Sequence, residues 1–130
     1  TDVVLVAIGS MVDRALQAAE LALGEGIRAA VVNARFAKPL DEELLCGLAR
    51  QCGGVVTLEE NVAAGGFGSG VAESLAARGL RVPIRILALP NAFVPHGDRG
   101  RLLAERGLDP AGIAQALIDC AWEARAQVPG

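Results

Sequence analysis

Three groups of residues in this chain have types and spacings from which chemistry can be built. They are a glycine-dense run, a pair of adjacent carboxylates and a lone histidine. The run is Gly65-Gly66-Phe67-Gly68-Ser69-Gly70, and a helical pattern follows it. Glycines ahead of a helix leave backbone N–H groups free, and the helix dipole favours negative charge there, so the run can attract a carboxylate or phosphate. The same residues equally serve a tight connection with positive φ, or close packing against a partner subunit. A dinucleotide fingerprint is not met, because G-x-G-x-x-G would need a third glycine where Val71 stands. Gly24-Glu25-Gly26, followed by Ala29, runs from helix into strand, the reverse of the required order. No Gly-Lys-Ser/Thr exists, which excludes a P-loop.

Glu59 and Glu60 end a strand pattern, at the edge where open α/β sheets place ligands. Neighbouring strand residues point to opposite faces, so the two carboxylates cannot act as one acid/base pair while the strand persists. A salt bridge, or a cap for the turn through Asn61, suits them better. His96 titrates closest to neutrality and lies in the loop after the fourth strand, on the same edge. Without a nucleophile at hand it reads as structural or interfacial rather than as a catalytic base. Ser10, Ser69 and Ser74 lack a G-x-S-x-G elbow, so no Ser–His–Asp set can be assigned. Cys46, Cys52 and Cys120 form no C-x-x-C pair and read as free, buried thiols of a reducing cytosol. No catalytic, cofactor-binding or metal residue is assigned. The candidates for an interface or anion contact are Glu59, Glu60, Asn61, Gly65, Gly66, Phe67, Gly68, Ser69, Gly70 and His96.

The elements that must position these residues alternate strand and helix. Val3–Ile8 is a continuous apolar run, as in a strand buried on both faces. Gly9 ends it, and Ser10 caps a helix from Met11 to about Leu23, with Asp13 favouring the dipole. Gly24 and Gly26 stop that helix. A second strand covers Ile27–Val32, and a helix opened by Asp41-Glu42-Glu43 carries Leu44, Leu45 and Leu48. After Cys52-Gly53-Gly54 comes a strand at Val55–Leu58, then the glycine run and a helix through Val71, Leu75 and Ala76 that Gly79 stops. Pro83 sits at the first residues of a strand ending at Leu89, where a missing N–H does little harm. A short helix is expected over Asp98–Arg106. Asp109 caps a last helix with Pro110 at its first position, burying Ile113, Leu117, Ile118 and Ala121, with Trp122 covering the sheet edge. Such alternation predicts right-handed crossovers and a parallel sheet with helices on both faces.

The 130 residues, 52% of them hydrophobic with only 3% aromatic, fit one domain with a core of small aliphatic side chains. A net charge of −3 with both signs scattered, and no cluster of Lys and Arg with aromatics, argues against nucleic acid as a partner. No apolar run approaches the ~20 residues that cross a bilayer, and no secretory signal is evident. A chain opening on Thr1 reads as a piece of something longer.

Four segments together resemble C-terminal domains of 1-deoxy-D-xylulose-5-phosphate synthases. They are Asn33-Ala34-Arg35-Phe36-Ala37-Lys38-Pro39-Leu40-Asp41; Thr57-Leu58-Glu59-Glu60-Asn61 with Gly65-Gly66-Phe67-Gly68; Leu89-Pro90-Asn91-Ala92-Phe93-Val94-Pro95-His96-Gly97; and Gly107-Leu108-Asp109-Pro110-Ala111-Gly112-Ile113. The wider transketolase-like superfamily shares the looser Glu…Gly-Gly-Phe-Gly pattern. The resemblance implies a three-layer α/β/α sandwich with a mostly parallel sheet, and an additional antiparallel strand preceding Thr1. It further implies a cytoplasmic homodimeric enzyme that uses thiamine diphosphate and magnesium to condense pyruvate with glyceraldehyde 3-phosphate for isoprenoid synthesis. The groups that hold and activate the cofactor would lie in N-terminal and middle domains absent here. Residues 1–130 would then support and assemble the enzyme without catalysing anything. Two alternatives remain: the equivalent domain of a 2-oxo-acid dehydrogenase β subunit or a transketolase, and a stand-alone anion-binding module.

Overall fold

A computed structural model describes residues 1–8, 11–33, 42–59, 67–88 and 108–126. Among the described residues four strands, β1 (Val3–Ala7), β2 (Ala29–Asn33), β3 (Val55–Glu59) and β4 (Ile84–Ala88), alternate with four helices. The helices are α1 (Val12–Gly24), α2 (Glu42–Cys52), α3 (Phe67–Ala77) and α4 (Pro110–Ala126). The strands form one parallel sheet in the order β2-β1-β3-β4. All five residues of β1 and all five of β3 are buried, which explains why their patterns are continuous rather than alternating.

Side-chain parity divides the core into two layers. Val3, Leu5 and Ala7 of β1 join Val56 and Leu58 of β3 against α1 and α4. Val4, Val6 and Val55 face the opposite way, against α2 and α3. On the first face, Ala15, Ala18 and Ala22 of α1 are fully buried. Small side chains at i, i+3 and i+7 let α1 sit close to the sheet and to α4. The expected three-layer α/β/α sandwich is what forms.

Local chemistry sets the element ends. The helix stops after α1 and α3 are built alike. Gly26 (φ 85°) donates its N–H to Leu23 O, and Ile27 donates to Ala22 O, both at 3.0 Å. Gly79 (φ 75°) and Leu80 repeat the pattern with Ala76 and Leu75. This paired closure needs a left-handed residue followed by an apolar one that folds back on the helix. Ile27 is therefore buried as the helix staple, and β2 starts at Ala29 rather than at Ile27 as the apolar run predicts. At α4, Asp109 Oδ1 accepts the Gly112 N–H at 3.0 Å, the predicted cap with Pro110 at the first position. Met11 occupies the N-cap of α1 without a side-chain bond. Ser10, Leu89 and the helix expected over Asp98–Arg106 lie outside the described residues.

Two further expectations are corrected. Trp122 does not cover the sheet edge: it is 59% exposed, and the Arg125 guanidinium lies 4.9 Å from its ring centroid. A cation over an aromatic face keeps both groups partly hydrated, which a buried edge position would forbid. Leu44 faces out from α2, while Leu45 on the next position is buried.

The first residues of the chain are tied to its last helix. Asp2 accepts the Arg28 N–H at 2.8 Å and Arg125 Nη2 at 2.9 Å. These two bonds hold the Asp2 carboxyl below its usual value, the backbone bond contributing most. A carboxylate whose folded pKa is depressed adds stability above its ordinary value and loses it as pH falls through the folded one. Asp2→Asn is thus expected to remove part of the stability difference between pH 6 and pH 3, by less than ~1 kcal/mol because the pair is solvent-exposed. Urea unfolding of both proteins at the two pH values measures this.

Candidate functional site

The chain runs from central β1 outward to β2, then returns to place β3 on the other side of β1. Between β1 and β3 the order reverses, and open α/β sheets hold ligands in the crevice at the C-terminal ends of such strands. Ile8 extends the pairing one residue past β1 by donating its N–H to Leu58 O at 3.1 Å. Glu59 ends β3 beside it, and the glycine run leads into α3 there.

Glu59 is 3% exposed, yet it is a carboxylate. Its Oε1 accepts the Gly68 N–H at 3.4 Å, at the first turn of α3. The contact is longer than an ideal amide bond, but a full charge also meets the positive end of the helix dipole. Burying an isolated carboxylate costs several kcal/mol, so this partial charge is part of what keeps it tolerable. The sequence allows a cap or a salt bridge at Glu59, and among the described residues its carboxylate meets the Gly68 N–H. The anion that the start of α3 can attract is supplied from within the chain.

Gly68 sits in this position for a second reason. A Cβ there would lie 2.6 Å from Ile86 Cγ2 and 2.6 Å from Thr57 Oγ1. Both atoms branch directly from their own Cβ and cannot swing far, so α3 can rest on β3 and β4 only without a side chain at 68. This is close packing onto the chain's own sheet, and of the two described glycines of the run it distinguishes Gly68. Gly70 has nothing within 4 Å of the corresponding point, and Ser69 is exposed. Phe67 begins α3. Glu60, Asn61, Gly65, Gly66 and His96 lie outside the described residues.

Sequence reasoning missed Thr57 and Ile86. Thr57 is fully buried, and its hydroxyl has no hydrogen-bond partner among the described residues. A Thr inside Val55-Val56-Thr57-Leu58 was the available signal, since it is the one polar group in that run. Thr57 and Glu59 share a strand face by parity and place two oxygens beneath the start of α3.

The three thiols are buried and free, as the sequence predicts. Burial pushes the Cys52 and Cys120 thiols up, away from the thiolate that nucleophilic chemistry requires. Among the described residues no three His, Cys, Asp or Glu side chains are grouped to hold a metal ion. Among them, too, no helix is long and apolar enough to cross a membrane.

The family model of the transketolase C-terminal domain matches residues 1–113. This chain belongs to the transketolase C-terminal domain family. The synthase-like segments are borne out by relatives within it. A 1-deoxy-D-xylulose-5-phosphate synthase of Desulforudis audaxviator is 53% identical over 108 residues, covering 82% of this chain and 17% of that protein. One from Gloeobacter violaceus is 53% identical over 116 residues, covering 89% of this chain and 18% of its own length. The chain thus spans less than a fifth of either relative. Among solved structures, a split-gene transketolase described as an inactive β4 tetramer superposes with a TM-score of 0.81 at 38% identity, covering 93% of this chain and 39% of that one. A Pichia stipitis transketolase in complex with sedoheptulose 7-phosphate shares the fold at TM-score 0.64 and 19% identity, covering 97% of this chain and 17% of its own. This transketolase C-terminal domain extends its core past the matched span, since Leu117, Cys120 and Ala121 of α4 are buried beyond residue 113.

Proposed function

We propose that residues 1–130 form one domain, the C-terminal domain of a 1-deoxy-D-xylulose-5-phosphate synthase, and that it supports and assembles the enzyme without touching the reacting atoms. In this reading the whole protein is a cytoplasmic homodimer. It condenses pyruvate with glyceraldehyde 3-phosphate, with loss of carbon dioxide, for isoprenoid synthesis. Thiamine diphosphate and magnesium are held by N-terminal and middle domains elsewhere in the polypeptide. The observation that carries the reading is 53% identity to synthases across most of this chain.

The crevice geometry agrees with a supporting role. A diphosphate–metal group needs free amides or a carboxylate cluster. The described residues offer no such cluster, and the helix start at the switch point already faces Glu59. They do not fit the cofactor, and no catalytic step is assigned to them. The same contact argues against a stand-alone anion-binding module. A transketolase is the second reading, favoured by the 38% identity to the split-gene protein.

The edge of β2 supports the larger architecture. β2 pairs with β1 alone among the described strands. Beside it lies an open groove of about 680 Å³ lined by Leu16, Leu23, Ala29 and Val31, with Glu20 and Arg28 among its polar groups. Leu16 and Leu23 are more than half exposed. An unpaired edge next to exposed leucines is an aggregation hazard that proteins cover. We take it as the seat of the additional antiparallel strand.

Titration calorimetry of this chain with thiamine diphosphate and magnesium is expected to give no binding heat. Micromolar affinity would overturn the division of roles. Full-length protein is expected to release carbon dioxide from pyruvate only when glyceraldehyde 3-phosphate is supplied. Turnover with ketose phosphates instead would favour the transketolase reading.

A further inference from the structure

We draw no further inference here: the strongest candidate, the surface patch on the outer face of α4 where the exposed Trp122 ring lies under the Arg125 guanidinium, is an unpartnered apolar face, and nothing in the structure shows what covers it.

Discussion

Gly68→Val destabilises the protein by about 3 kcal/mol, the upper part of the range for overpacking a tight contact. The first added carbon already meets Ile86 and Thr57 at 2.6 Å, so Gly68→Ala carries most of the effect, and the two further methyl groups of Val add to it. Gly70→Ala, two residues along the same helix, has the opposite sign. Nothing lies within 4 Å of its new methyl, and removing a glycine from a helix stabilises by about 0.5–1 kcal/mol. Urea midpoints of the three variants measure this. Equal midpoints for Gly68→Ala and Gly70→Ala would show that α3 does not rest on β3 and β4 through residue 68. In the Ile86→Ala background the cost of Gly68→Ala should shrink, because one of the two obstructing branches is gone, while Thr57 remains.

Leu5→Ala is expected to cost about 2–5 kcal/mol and to abolish cooperative unfolding at the higher end of that range. Leu5 is fully buried in β1, between β2 and β3, with its side chain in the layer shared by α1 and α4. A cavity there has strands on two sides and helices on the third, so little can collapse into it. Leu23→Ala, in the open groove, should change the stability of the 130-residue chain by no more than about 0.5 kcal/mol. Thermal melts of the pair check the contrast. A small loss at Leu5 would mean that the layer repacks freely.

The fold was legible wherever a local rule determined the outcome. The run Val3–Ile8 and the pair Asp109-Pro110 state their structures within a few residues. The C-terminal edge of β3 was singled out because strand-end carboxylates and a glycine-rich helix start are sequence-local signals. What the alphabet did not show is which partner each residue finds across the fold. Ile27 is apolar for the sake of a helix end, a use that a hydrophobic run cannot distinguish from a strand. Leu44 and Leu45 differ only in rotation about the α2 axis. Trp122 looks like core by type, but Arg125 one turn later gives it an exposed place. The contact of Thr57 with Gly68 joins residues whose sequence context says nothing of each other, and the bonds of Asp2 to Arg28 and Arg125 are of the same kind.

The pairing of α1 with α4 has a consequence for how the protein is made. The first described helix of this domain to be synthesised buries Ala15, Ala18 and Ala22 in a layer that α4, made later, completes with Ile113, Leu117 and Ala121. Translation proceeds at ~5–20 residues per second, so for several seconds the nascent chain carries half a core with one wall missing. During that interval the sheet face formed by Val3, Leu5, Val56 and Leu58 is open to any chaperone that holds aliphatic surface, and a chain that stops short of Pro110 lacks the helix that closes it.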